Sequence, residues 1–142
     1  MVKNQNPPTV AQNKATVGSM YEAFGRGDVS FILSQFSPNF ILDARGGARL
    51  PYAGMYRGAS DVANYFIGLN EAFETTAFDV TSIIGEGNNV AAFGSQSGKA
   101  RTSDKPFAFD WAMYWVFNAE GWAEKCQIYY DTAGAEAAYL TA

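Results

Sequence analysis

Any proton transfer in this chain has to run without histidine. None occurs among its 142 residues, which removes serine or cysteine nucleophiles activated by an imidazole base, and histidine-ligated zinc, iron and copper sites. Carboxylate, tyrosine, lysine and water remain as proton carriers. Tyr21 can donate a phenolic hydrogen bond to a carbonyl oxygen at a pocket wall; its plainer role is a ring packed in the core with the hydroxyl bonded to a neighbour. Arg45, Arg49 and Arg57 share one glycine-rich loop and can attract a carboxylate, or stay solvated or paired with Asp43 and Asp61. Cys126, the only cysteine, has no cationic cluster beside it in sequence and reads as a small buried hydrophobe rather than a nucleophile. Trp111, Met113 and Trp115, with Phe66 and Leu69, are spaced either to line a cavity for a flat apolar ligand or to fill an ordinary core. Cys126, Ile128 and Tyr130 share one strand face and belong to the same wall, with Gln96 and Gln127 as neutral polar contacts. No glycine pattern for a nucleotide and no cluster of metal ligands is present in the sequence, so no cofactor and no metal are expected.

The elements that must position these groups follow from periodicity. Val17, Met20, Tyr21 and Phe24 recur at helical spacing, with Gly27 placed to end the helix in a left-handed turn. Asp28 caps a short second helix expected over 28–36, before Pro38. A strand at 40–44 is followed by a loop over 45–58. Ser60 is expected to cap a third helix whose stripe is Val62, Tyr65, Phe66, Leu69 and Phe73. From Thr76 the period changes to two, with Phe78, Val80, Ser82 and Ile84 on one face against Ala77, Asp79, Thr81 and Ile83. Strands over 90–97, 107–117 and 122–130 complete a sheet, Asp131 caps, and a short alanine-rich helix follows. Phe109, Trp111, Met113, Trp115 and Phe117 share a face. With 48% hydrophobic and 15% aromatic residues, the chain can build one core without staples, so one domain over 1–142 is expected, with 1–12 a loose arm. Ten basic residues against 14 acidic ones, scattered and summing to a net charge of -4, argue against a nucleic-acid partner. No apolar run reaches the roughly 18 residues of a membrane span, and the polar start, with Pro7-Pro8, lacks a secretory signal. The single cysteine fits a reducing compartment, and a cytoplasmic location is expected.

Three stretches, Tyr21-Glu22-Ala23-Phe24 with Gly27-Asp28, the run from Tyr52-Ala53-Gly54 to Met55-Tyr56-Arg57-Gly58, and Phe117-Asn118-Ala119-Glu120-Gly121 leading to Tyr129-Tyr130-Asp131, resemble the nuclear transport factor 2-like superfamily. The likeness is to its SnoaL-like and ketosteroid-isomerase-like members and covers about 13–139. It implies an α+β fold, a cone-shaped curved antiparallel sheet wrapped around three N-terminal helices, usually paired as a homodimer through the outer face of the sheet. It does not imply one activity, since the same cone hosts isomerases, cyclases, hydrolases, dehydratases and pure binding proteins. Ketosteroid isomerase uses a carboxylate base with a tyrosine and a protonated aspartate as donors. By position, the tyrosine falls on Met20, the base on Ala44 and the protonated aspartate on Met113, so classical steroid isomerisation is not expected. Asp43 is the surviving base if a bulge near Arg45-Gly46-Gly47 turns it inward; otherwise it is a solvent-facing strand-end aspartate. The expectation is thus a pocket that holds a small hydrophobic carbonyl- or carboxylate-bearing molecule. Its walls are Met20, Ala44, Tyr56, Phe66, Trp111, Met113, Cys126, Ile128 and Tyr130, and any catalysis would be cofactor-independent proton transfer or water addition by Asp43 and Tyr21. The alternative is a non-catalytic dimeric binding or protein-interaction module.

Overall fold

The computed structural model describes residues 7–140. Helix α1, Val10–Gly25, starts at a capping box: Gln12 N donates to Thr9 Oγ1 at 3.1 Å while Thr9 N donates to Gln12 Oε1 at 2.9 Å. Residues 10–12, expected to be loose, therefore belong to the helix, and residues 1–6 of that stretch lie outside the described residues. The helix ends as expected. Gly27 has φ +73°, its N–H donates to Phe24 O at 3.0 Å and that of Asp28 to Ala23 O at 2.8 Å, a Schellman closure that needs a residue without Cβ strain. Asp28 then accepts from Phe31 N at 3.1 Å and caps α2, Val29–Ser34.

Helix α2 is shorter than the expected 28–36. Phe36 opens strand β1, Phe36–Ala44, and stacks on Phe40 with ring centroids 3.7 Å apart. Pro38 therefore sits inside a strand, at an exposed position where the pairing with the neighbouring strand jumps from Phe36 to Ile41. An irregular stretch tolerates the missing N–H. The loop expected over 45–58 contains a further strand, β2, Gly54–Arg57, paired antiparallel with β1. Helix α3, Gly58–Ala72, begins after Arg57 without a side-chain cap, so Ser60 does not cap it; from the first turn the Asp61 carboxylate accepts from Arg57 N at 2.8 Å. Phe73 leaves the helix and begins β3, Phe73–Glu86, followed by β4, Asn89–Ala100, β5, Pro106–Phe117, β6, Ala123–Tyr130, and α4, Thr132–Leu140. Asp131 accepts from Gly134 N at 2.9 Å, the expected capping role.

The six strands form one unclosed, curved sheet in the order β2-β1-β6-β5-β4-β3. All neighbours run antiparallel except β1 and β6, which are parallel. Helix α1 packs on β3 and β4 and α3 on β1, β2 and β3, so both lie against the same sheet. Between helices and sheet sits the core, with Phe40, Phe117, Met20 and Leu50 among its most deeply buried side chains. The expected shared face of β5 and that of β6 are both present. On β3 the facing differs from the periodic reading. Register shifts between Thr75 and Ala77 and between Val80 and Ser82 reverse the alternation, so Ile83 is half-buried toward α1 while Ser82 and Ile84 are exposed. No helix among the described residues is long and apolar enough to cross a membrane.

Candidate functional site

A cavity of about 90 Å³ lies between the helices and the sheet. Helix α1 supplies Met20, Tyr21 and Phe24; α3 supplies Val62, Tyr65, Phe66 and Leu69; strands β5 and β6 supply the facing wall with Trp111, Met113, Trp115, Cys126, Ile128 and Tyr130. Aromatic rings make up much of this lining. Phe78 stacks on Trp111 at 4.9 Å, Tyr21 tilts against Trp111 at 5.2 Å, and Phe109 against Tyr130 at 5.2 Å. Among the described residues, none that lines the cavity carries a formal charge.

The polar atoms of the lining are phenols, indoles, one thiol, Gln96 and Thr75. Trp115 Nε1 donates to the Tyr21 hydroxyl at 3.1 Å. The Tyr52 and Tyr130 hydroxyls are bonded to each other at 2.9 Å. Trp111 Nε1 is buried and has no hydrogen-bond partner among the described residues. Burial pushes the Tyr21, Tyr52 and Tyr65 hydroxyls well above the usual phenol range, and the Cys126 thiol rises for the same reason, helped by the negative charge of Asp43. Tyr130 is also raised by burial, an effect its bond with Tyr52 partly offsets. At neutral pH every one of these groups is uncharged, so the site offers hydrogen bonds and apolar surface rather than a base.

Of the residues expected at the site, Met20, Tyr21, Phe66, Trp111, Met113, Cys126, Ile128 and Tyr130 line the cavity together. Three do not. Ala44 is buried on β1 outside the lining. Tyr56 packs its ring on Tyr65 at 5.4 Å and donates its hydroxyl to Tyr52 O at 2.7 Å. Asp43 alternates with the buried Leu42 and Ala44 and so faces the other side of the sheet, where Arg45 Nη2 holds it at 2.9 Å. The bulge that would have turned it inward lies elsewhere, upstream of Ile41. The loop arginines are engaged outside the cavity as well: Arg45 stands over the Tyr129 ring at 5.0 Å and Arg49 meets Glu136 at 4.0 Å. Tyr52 and Tyr65 were not singled out by sequence as site residues. Tyr65 sits on a helical stripe where a tyrosine reads as packing, and its place in the lining beside Tyr52 and Tyr130 is seen only in the structure.

Residues 17–125 match the model of a SnoaL-like domain family. A search among curated proteins finds no significant match. Among solved structures, a nuclear transport factor 2-like protein of unknown function from Burkholderia pseudomallei superposes with a TM-score of 0.84 at 20% identity, covering 92% of this chain and 98% of that one. TerC co-crystallised with polyporic acid superposes with a TM-score of 0.81 at 17% identity, covering 92% and 99%. A ketosteroid isomerase-like protein from Catenulispora acidiphila in complex with trimethylamine gives 0.73 at 14% identity, covering 87% and 91%. At these identities the superpositions establish the fold and nothing about the ligand.

Proposed function

The chain belongs to the SnoaL-like domain family, and we propose that it is a binding protein for a small, neutral, largely apolar molecule held in the cone cavity, with no proton transfer by Asp43. The observation that carries this reading is the lining: many aromatic and aliphatic side chains, several uncharged hydrogen-bonding groups, and no charge. A carboxylate buried there would find no cation, and an unpaired buried charge is strongly disfavoured. Of the two ligand types expected from sequence, the carbonyl-bearing one is therefore favoured. A general base is equally hard to find. Asp43 is on the opposite face of β1, and the buried phenols and thiol are protonated at neutral pH, which makes them poor proton acceptors.

Size limits the ligand. A free volume of about 90 Å³ is below the roughly 150 Å³ of an apolar cavity that holds benzene, so even a single ring must push side chains aside. Met20 and Met113 stand in the wall, and their unbranched thioether chains can re-pack around a guest. That solved relatives of this fold hold polyporic acid and trimethylamine supports a cone that can open around small molecules. We also read the outer face of the sheet as a homodimer surface, because Phe93, Tyr114 and Tyr129 are exposed there at 40%, 36% and 43%.

Thermal-shift titration with matched pairs of aryl ketone and aryl carboxylate tests the ligand class. The ketones are expected to raise the melting midpoint and the acids not, and Asp43→Asn is expected to leave the ketone response unchanged. Stabilisation by the acids alone, or loss of the ketone response in Asp43→Asn, contradicts the proposal.

A further inference from the structure

Resting on the reading of the cavity as a site for a neutral guest, we infer that the guest carries two oxygen functions, a carbonyl met by Tyr21 and a hydroxyl met by Tyr65. An indole N–H can only donate. Since Trp115 Nε1 donates to Tyr21 at 3.1 Å, the Tyr21 oxygen already has a donor, and what it still lacks is an acceptor for its own proton. Among the described residues the Tyr21 hydroxyl is bonded as an acceptor from Trp115, with its own proton facing the cavity residues. Trp111, packed 5.2 Å from the Tyr21 ring and 4% exposed, carries a second unmet proton on Nε1. Two neighbouring donors with no acceptor between them match a carbonyl oxygen, whose two lone pairs can take both. Trp111 Nε1 is closed off from the cavity, so in this scheme the guest must shift the indole to reach it.

The other wall has a different character. Tyr65, on α3, is 7% exposed and lines the cavity. Nearby, the Tyr52 and Tyr130 hydroxyls share one hydrogen bond at 2.9 Å and keep one proton between them for a further acceptor. These groups can both give and take, which suits a hydroxyl rather than a second carbonyl. Tyr21 and Tyr65 belong to α1 and α3, and their rings keep separate company: Tyr21 with Trp111, Trp115 and Phe78, Tyr65 with Tyr52, Tyr56 and Phe66. The two hydroxyls still feel each other electrostatically, so the polar functions of the guest lie across a single ring, as in a hydroxyaryl ketone. Trp115 stands in the wall and, toward the ketone, is a positioning residue that orients the Tyr21 hydroxyl.

Ethylbenzene, acetophenone and 4-hydroxyacetophenone differ by one oxygen at each step, and their dissociation constants can be measured by calorimetry on the native chain and on Tyr21→Phe and Tyr65→Phe. Each oxygen is expected to tighten binding to the native chain by about threefold to tenfold. Tyr21→Phe should shrink the ketone step and keep the hydroxyl step, and Tyr65→Phe should do the reverse, with ethylbenzene binding as the check that each cavity is intact. If Tyr21→Phe fails to fold, Trp115→Phe takes its place: it removes the bond that fixes the direction of the Tyr21 O–H and should shrink the ketone step alone. Equal affinity of the native chain for all three probes overturns this inference while leaving the apolar binding site standing. Failure of all three to bind overturns both.

Discussion

Buried phenols and a buried thiol bind the protein's stability to alkaline pH. The hydroxyls of Tyr21, Tyr52, Tyr65 and Tyr130 and the thiol of Cys126 are all raised by burial. The unfolded chain therefore loses these protons first as the pH climbs. Stability is complete below the unfolded values, about pH 9 for the thiol and about pH 10 for phenols, and is lost above them until the folded values are reached. Each such group costs about 1.4 kcal/mol per pH unit in that window, so the three most strongly shifted phenols together cost about 4 kcal/mol per unit above pH 10. Urea unfolding at pH 7, 9, 10 and 10.5 should show a shallow decline beginning near pH 9 and a steep one beyond pH 10. Cys126→Ala should remove the shallow part only. A stability constant from pH 7 to 10.5 would mean that these hydroxyls are solvated and the cavity is wet.

Strand irregularities decide which side chains reach the cavity, and one glycine shows how. Gly94 on β4 is buried and pairs with Val80 on one side and Trp111 on the other. A Cβ there would collide with the carbonyl oxygen of Asp79 and with the edge of the Trp111 indole; the first is backbone beside a register shift and cannot retreat. Gly94→Ala is expected to cost about 1–3 kcal/mol, as overpacking does, and to tilt Trp111 out of the wall, visible as a shift in tryptophan emission. An unchanged melting midpoint would show that β4 has slack at this point. The same irregularities explain what sequence could and could not reveal. The faces of β5 and β6 were legible because both strands alternate without interruption over Phe109 to Trp115 and Cys126 to Tyr130, and the end of α1 was legible because Gly27 has one conformational use. Facing on β3 was not, since two register shifts leave no mark in a period-two pattern. Strand β2 was hidden in a glycine-rich loop because its four residues pair only with β1. The orientation of Asp43 hung on a bulge expected near Arg45-Gly46-Gly47, whereas the irregularity of β1 lies upstream of Ile41.

At the scale of the whole molecule, the two faces of the sheet divide the work. The inner face, with the helices, closes on the cavity, while the outer face leaves apolar rings in water with Tyr114 near their centre. Tyr114 lies opposite Ala91 and Gln127, and Phe93 and Tyr129 both pair with Ala112 two residues away on the same strand. The Asp43–Arg45 ion pair borders this patch, with Arg45 over Tyr129, so the aspartate that sequence offered as a base would sit at a subunit boundary. A stable pair of this kind buries about 1,200–2,000 Å² in total, and under a two-fold axis the same patch of both copies meets. Placing a charge at the centre leaves it unpaired on both copies at once. Tyr114→Glu is therefore expected to convert a dimer into a monomer in light scattering at about 10–100 µM, with the far-ultraviolet spectrum unchanged because the residue touches no core side chain. Ligand binding should survive in that monomer, since no lining residue comes from the outer face. A native chain already monomeric at those concentrations rules out the dimer, and loss of ligand binding along with dimerisation would mean that the cavity depends on the pairing.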